Sequence, residues 1–188
     1  MSPTEIVQLF DVKDVRKTAA QFDQRKLDWL NGQYIKRLPV PQLAQLLAER
    51  LVAKGVIPAT YDRAWLERIA ALLQDRLRVL EDLEEEHGFF FREPPEYQEE
   101  AVARFLRPEG VAGRLSELSQ RLRRLPTFDT AAIEQATRAF VAERGLAPKD
   151  LIHPVRVAVT GRSVSPPLFE VLSILGKDTV LKRLAHAI

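Results

Sequence analysis

The chain has 188 residues, 46% hydrophobic and 29% charged, which is enough to bury a core without covalent staples. It has no cysteine, so disulfides, thiolate zinc sites and a cysteine nucleophile are excluded, and a reducing cytoplasm suits it. No stretch approaches the roughly 20 uncharged apolar residues of a membrane helix, and the opening MSPTE has neither the basic start nor the apolar run of a secretory signal.

The net charge of +2 hides an asymmetry. Residues 1–108 carry 16 Lys and Arg against 18 Asp and Glu, a net of −2, whereas residues 109–188 carry 12 against 8, a net of +4. Contact with phosphate is therefore expected in the second half.

In chain order, residues 26–35 (KLDWLNGQYI) read as one amphipathic, turn-rich segment with Trp29, Leu30 and Ile35 as core. Leu43, Leu46, Leu47 and Leu51 then form one apolar stripe, started by Pro39 and Pro41 and ended before Gly55. A second stripe runs from Trp65 through Ile69, Leu72, Leu73, Leu77 and Leu80 to Leu83. The acidic residues 81–86 are expected to be a solvated helix face, turned away from any RNA. Turn residues cluster at 88–95 and again at 107–113. The second cluster is taken as the boundary between two helical lobes, 1–108 and 109–188.

Leu115, Leu118, Leu122 and Leu125 mark the next helix, running from Gly113 to Pro126. Thr130 is the expected cap of a helix through Ile133, Ala136, Phe140 and Val141 that ends at Gly145. Residues 155–160 alternate like a strand, but one six-residue run cannot build a sheet, so they are assigned to a helix. The last two helices are expected over 167–175 and 179–187. The fold class is all-α.

Several chemistries have no support. The three histidines, His87, His153 and His186, show no zinc spacing, and no phosphate-binding Gly-x-x-x-x-Gly-Lys-Ser/Thr loop occurs. Neither Ser163 nor Ser165 has the neighbours of a serine triad. No catalytic centre and no cofactor are expected in this chain.

Residues 162–169 (RSVSPPLF) carry what reading an unstacked base requires. The two prolines fix backbone angles and leave carbonyls and the Ser165 hydroxyl to meet a base edge. Arg156 supplies a planar donor fork, and Leu168 and Phe169 are either apolar platform or core.

Together, residues 153–184 (HPVRVAVTGRSVSPPLFEVLSILGKDTVLKRL) and residues 26–35 resemble the C-terminal, tRNA-binding half of bacterial glutamyl-tRNA synthetases. The likeness extends from about Phe10 to the end. It implies an all-α, two-lobe anticodon-binding module, with Arg156, Ser165, Pro166, Leu168 and Phe169 lining the anticodon pocket. Pro167 departs from the family pattern. The resemblance further implies an arginine that reads the third anticodon base and helps separate glutamate from glutamine tRNA. Arg76 is assigned that role, with Arg78 as the alternative.

Lys26, Asn31, Gln33 and Tyr34 match the family's stem-contact region and are expected near the sugar–phosphate backbone, as is Arg162. Arg121, Arg123 and Arg124 crowd one turn, either facing phosphates or forming a solvated face. The histidine and Lys-Met-Ser-Lys motifs that serve ATP in class I synthetases are absent, so ATP and Mg belong to a catalytic half elsewhere. A segment of a longer polypeptide is expected, monomeric and cytoplasmic. Its partner would be tRNA(Glu), with tRNA(Gln) open, and neither DNA nor membrane. The rival readings are a free-standing RNA-binding paralogue and a helical protein-interaction domain.

Overall fold

A computed structural model describes residues 3–14, 21–93 and 95–188. The first two residues, residues 15–20 of the likeness and Pro94 of the first turn cluster lie outside them. The described residues contain helices and no strand. The helices are α1 Pro3–Leu9, α2 Gln24–Ile35, α3 Val40–Ala53, α4 Arg63–Leu73, α5 Asp82–Glu85, α6 Glu99–Phe105, α7 Val111–Arg123, α8 Thr130–Glu143, α9 Lys149–Thr160, α10 Leu168–Leu175 and α11 Lys177–His186. The strand-like run at 155–160 is the end of α9, as its helical setting required.

Two apolar cores organise these elements. The first gathers Ile35, the α3 and α4 stripes, Leu77, Leu83, Phe89 and Phe90. The second gathers Leu115, Leu118 and Leu122 of α7 with the inner faces of α8, α9 and α11. Helix α10 belongs to both: Val171 and Ile174 enter the first core, and Leu168 and Leu172 the second. Such a helix is apolar nearly all round because both its faces are covered. Helix α6 packs on α9, where the Tyr97 hydroxyl donates to the Ala158 carbonyl at 2.9 Å.

Four local expectations need correction. The second stripe is not one helix: α4 stops at Leu73, and residues 74–81 form turns before α5. Asp82 holds that path by accepting from the Arg78 and Val79 amides at 2.8 and 3.2 Å. The acidic run is not a solvated face. Asp82 is buried, and Glu81 and Glu84 pair with Arg50 while Glu84 also pairs with Lys54. Trp29 and Leu30 are 60% and 44% exposed, because only the C-terminal end of α2, at Gly32 and Ile35, is buried. Asp129, not Thr130, caps α8, accepting from Ala132 N at 2.8 Å.

Helix α9 ends where two constraints meet at Gly161. Its φ of +74° is a left-handed value that costs an L-residue roughly 1–2 kcal/mol. Its carbonyl accepts from Gln98 N at 2.8 Å, and a Cβ there would collide with the Glu96 carbonyl. Gly145, which ends α8 with φ +61°, has open space around it. In urea unfolding, Gly145→Ala should therefore cost only the backbone term of about 1–2 kcal/mol. Gly161→Ala should cost more than about 3 kcal/mol, adding a steric term of overpacking size. Equal losses would show that the 96–98 segment moves aside freely.

Candidate nucleic-acid interface

The residues singled out after α9 form a built loop. Thr160 Oγ1 donates to the Arg156 carbonyl at 2.8 Å and accepts from Arg162 N at 3.3 Å, which closes the turn. Arg156, half-buried on α9, reaches across with Nη1. That nitrogen donates to the Pro166 carbonyl at 3.0 Å, to the Ser165 carbonyl at 3.3 Å, and to Ser165 Oγ. Burial lowers the Arg156 pKa from its ordinary value, and no carboxylate pairs with it among the described residues. Its guanidinium is thus a clamp on residues 165–166 as well as a donor fork.

Beside the clamp lies a cleft of about 630 Å³ between α8, α9 and the start of α10. Arg156, Pro167, Leu168 and Phe169 line it, with Thr137 and Val141 of α8 opposite. Pro167 is exposed and opens α10. Leu168 is mainly core at 4% exposure, and Phe169 is half-buried against the same core. Pro166 is buried behind the loop, and Val164 at its tip is 80% exposed.

The second predicted element also approaches this region. Arg76 lies exposed in the turn after α4, not within a helix, and its side chain makes no hydrogen bond or ion pair with a described residue. Arg78 is engaged, pairing with Asp82 at 3.3 Å and Glu86 at 2.9 Å. Arg162 Nη2 donates to the Glu85 carbonyl at 2.7 Å. Arg76 and Arg162 both act electrostatically on the buried His87, so the turn after α4 and the loop after α9 share one neighbourhood.

Asn31 Nδ2 donates to the Arg78 carbonyl at 2.7 Å, and Gly32 lets α2 approach Leu77 and Arg78 closely. Gln74 Nε2 caps the end of α2 through the Ile35 and Leu38 carbonyls. On the same helix, Lys26 and Tyr34 are exposed and Gln33 is half-buried. Arg121 and Arg124 are elsewhere. Arg121 forms a paired contact with Glu143 and lies over the Phe140 ring, 5.4 Å from its centroid. The cleft these two arginines line shares no residue with the one beside Arg156.

Nothing in the sequence pattern singles out His87. Both its ring nitrogens are buried without a hydrogen-bond partner among the described residues. Desolvation, then the Arg162 and Arg76 charges, push its pKa down to about 4. An unfolded histidine titrates near 6.5, so the neutral ring favours the fold fully above that value, and the benefit is lost as pH falls from about 6.5 to about 4. The loss attributable to His87 should reach about 3 kcal/mol. Urea unfolding of His87→Leu across that range should lack this acid-dependent loss. A variant as acid-sensitive as the parent would place the titrating group elsewhere.

Residues 42–188 match the family described as "Anticodon binding domain". The chain is 33% identical over 186 residues to a glutamate–tRNA ligase of Moorella thermoacetica, and 37% identical over 186 residues to one of Elusimicrobium minutum. It spans 97% and 99% of its own length in these matches but only 38% of the length of either relative. In fold it is similar to a glutamate tRNA ligase of Elizabethkingia meningosepticum, solved in complex with its amino acid. There the TM-score is 0.86 at 21% identity, covering all of this chain and 36% of that one.

Proposed function

Since this chain belongs to the anticodon-binding domain family of glutamate–tRNA ligases, we propose that its α9–α10 loop reads the anticodon of tRNA(Glu). The observation that carries this reading is the Arg156 clamp on Ser165 and Pro166 at the lip of an apolar cleft. Single-stranded bases are read by rigid platforms that stack against a face while fixed donors and acceptors meet an edge. Phe169 and Leu168 offer the apolar wall, and the Arg156 fork and the Ser165 hydroxyl offer the polar lip. Pro166 and Pro167 hold the backbone between them.

Arg76 reads the third anticodon base. Its exposed guanidinium, without a partner among the described residues, favours it over Arg78, which pairs with Asp82 and Glu86. Arg162, and more weakly Arg78, Arg121 and Arg124, would meet phosphates. Lys26, Asn31, Gln33 and Tyr34 on α2 face the tRNA stem. In this division of labour the lobe of residues 1–108 contacts the stem and the third base, and the lobe of residues 109–188 forms the pocket for the anticodon bases. The parent ligase, cytoplasmic and monomeric, would supply ATP and Mg chemistry from its other part and glutamylate tRNA(Glu). Whether it also accepts tRNA(Gln) turns on Arg76.

Arg76→Gln should relax discrimination at the third anticodon base by roughly 1–3 kcal/mol, the usual size of one good base contact. Binding of anticodon variants of tRNA(Glu) measures this, and full preference retained in the variant would remove Arg76 from the role. Arg156→Ala should cost about 1–2 kcal/mol of stability, because the loop acceptors lose a charged donor, while the chain stays folded. It should weaken tRNA with the correct anticodon more than tRNA with a wrong one. Equal weakening would make Arg156 a phosphate contact.

A further inference from the structure

A second cleft, of about 570 Å³, opens on the other side of the same loop, between α6, α7 and the N-terminal half of α9. Three cations line it: Arg104 from α6, Arg114 from α7 and Lys149 from α9. Arginines elsewhere in the chain commonly find carboxylates, as at Arg50, Arg63, Arg138 and Arg144. None of these three pairs with a described acidic residue within 4 Å, although Glu100 and Asp150 also line the cleft. Arg114 Nε and His153 Nδ1 are buried with no hydrogen-bond partner among the described residues. Those atoms are closed to a ligand, but the three cation head groups that line the open cleft without a described carboxylate partner offer charge-assisted donors to an anion that enters it.

The cleft also has an aromatic wall. The His153 ring stacks on Phe105 with centroids 4.9 Å apart and planes 19° apart, and the Arg104 guanidinium lies 5.0 Å from the Phe105 centroid. A lone phosphate would use the cations and leave this wall bare. The volume falls within the range of small-molecule sites and exceeds what a lone phosphate needs. Ser163 and Val164 of the proposed reading loop form part of its lining, so a strand crossing that loop passes from one cleft to the other.

We propose that this cleft holds a further nucleotide of the same single-stranded RNA, beyond the bases read at Arg156. Its phosphate meets Arg114 and Lys149, and its base lies along the Phe105–His153 stack, in reach of Arg104. The contact is to backbone and base face, so it adds affinity and path without adding sequence preference. The inference rests on the RNA-reading function proposed above.

The test uses the full 188-residue chain, a tRNA(Glu) transcript and a single-stranded RNA oligomer of the anticodon-loop sequence, with affinity measured across salt. The double variant Arg114→Gln/Lys149→Gln should weaken both RNAs about tenfold or more, the scale of charge-assisted hydrogen bonds. It should flatten the salt slope by roughly 0.7 for each phosphate of a single strand that the protein no longer neutralises, while preserving the preference for the correct anticodon. Arg104→Gln, at an exposed position, should weaken both RNAs in the same direction, and it keeps the idea testable should the double variant unfold. Unchanged affinity and slope in these variants, alongside a lost preference in Arg156→Ala, would overturn this cleft alone. A lost preference in the cleft variants would also overturn it, since the cleft would then be reading bases. Should Arg156→Ala leave binding untouched as well, the RNA-reading function itself falls, and this proposal with it.

Discussion

One buried guanidinium holds the architecture in register. Arg183 of α11 is 2% exposed and donates to the Val159 carbonyl at 2.6 Å, to the Phe89 and Arg92 carbonyls at 2.8 Å each, and to Glu93 at 3.2 Å. It therefore ties α11 to the end of α9 and to the turn that closes the first core. Burial works against its charge and lowers its pKa from the ordinary value, while Glu93 opposes that. Loss of one partner of such a buried, hydrogen-bonded charge typically costs about 3–5 kcal/mol. The planar fork explains the choice of arginine: lysine offers one nitrogen and could not satisfy separated carbonyls on two segments.

The consequence reaches the candidate interface through the end of α9. Arg183 holds Val159, Tyr97 holds Ala158, and the Gly161 carbonyl accepts from Gln98. With that end fixed, residues 162–167 have little freedom, and Arg156 removes more by holding Ser165 and Pro166. Pre-organisation of this kind lowers the ordering cost of binding. Helix α10, shared by both cores, fixes the other end of the loop, so the loop is anchored in the packing on both sides. Recognition of unstacked bases needs such rigidity, because a loose platform would pay for its own ordering each time.

Much of this was legible from spacing. The leucine stripes pointed to α3 and α7, and the Ile133, Phe140 and Val141 spacing to α8, because a stripe at helical period has a direct physical reading as a covered face; α9, whose end alternates like a strand, had no such signal of its own. The break after Leu73 was not legible, since no glycine or proline marks it and the leucines continue in phase through Leu83. What stops α4 is tertiary: Asp82 captures two amides of the turn, and Gln74 turns to cap α2. Trp29 and Leu30 show the opposite failure, apolar residues on a helix face that no described residue covers. At the interface, residue types pointed to Arg156 and the 162–169 loop, but not to the clamp, which needs the loop's fold. Arg183 could not be singled out, because an arginine beside Val180, Leu181 and Leu184 looks like the polar edge of an amphipathic helix. The cleft lined by Arg114, Lys149 and Phe105 assembles from segments far apart in sequence and has no local signature.

Amide hydrogen exchange of the chain with and without a saturating tRNA(Glu) anticodon stem-loop tests the central claim most directly. Reading at a pre-organised loop predicts two things: slow exchange at residues 162–169 already in the free chain, and added protection there and at residues 74–79 once the RNA binds. Protection confined to other surfaces, or a loop that exchanges freely until RNA arrives, would contradict it.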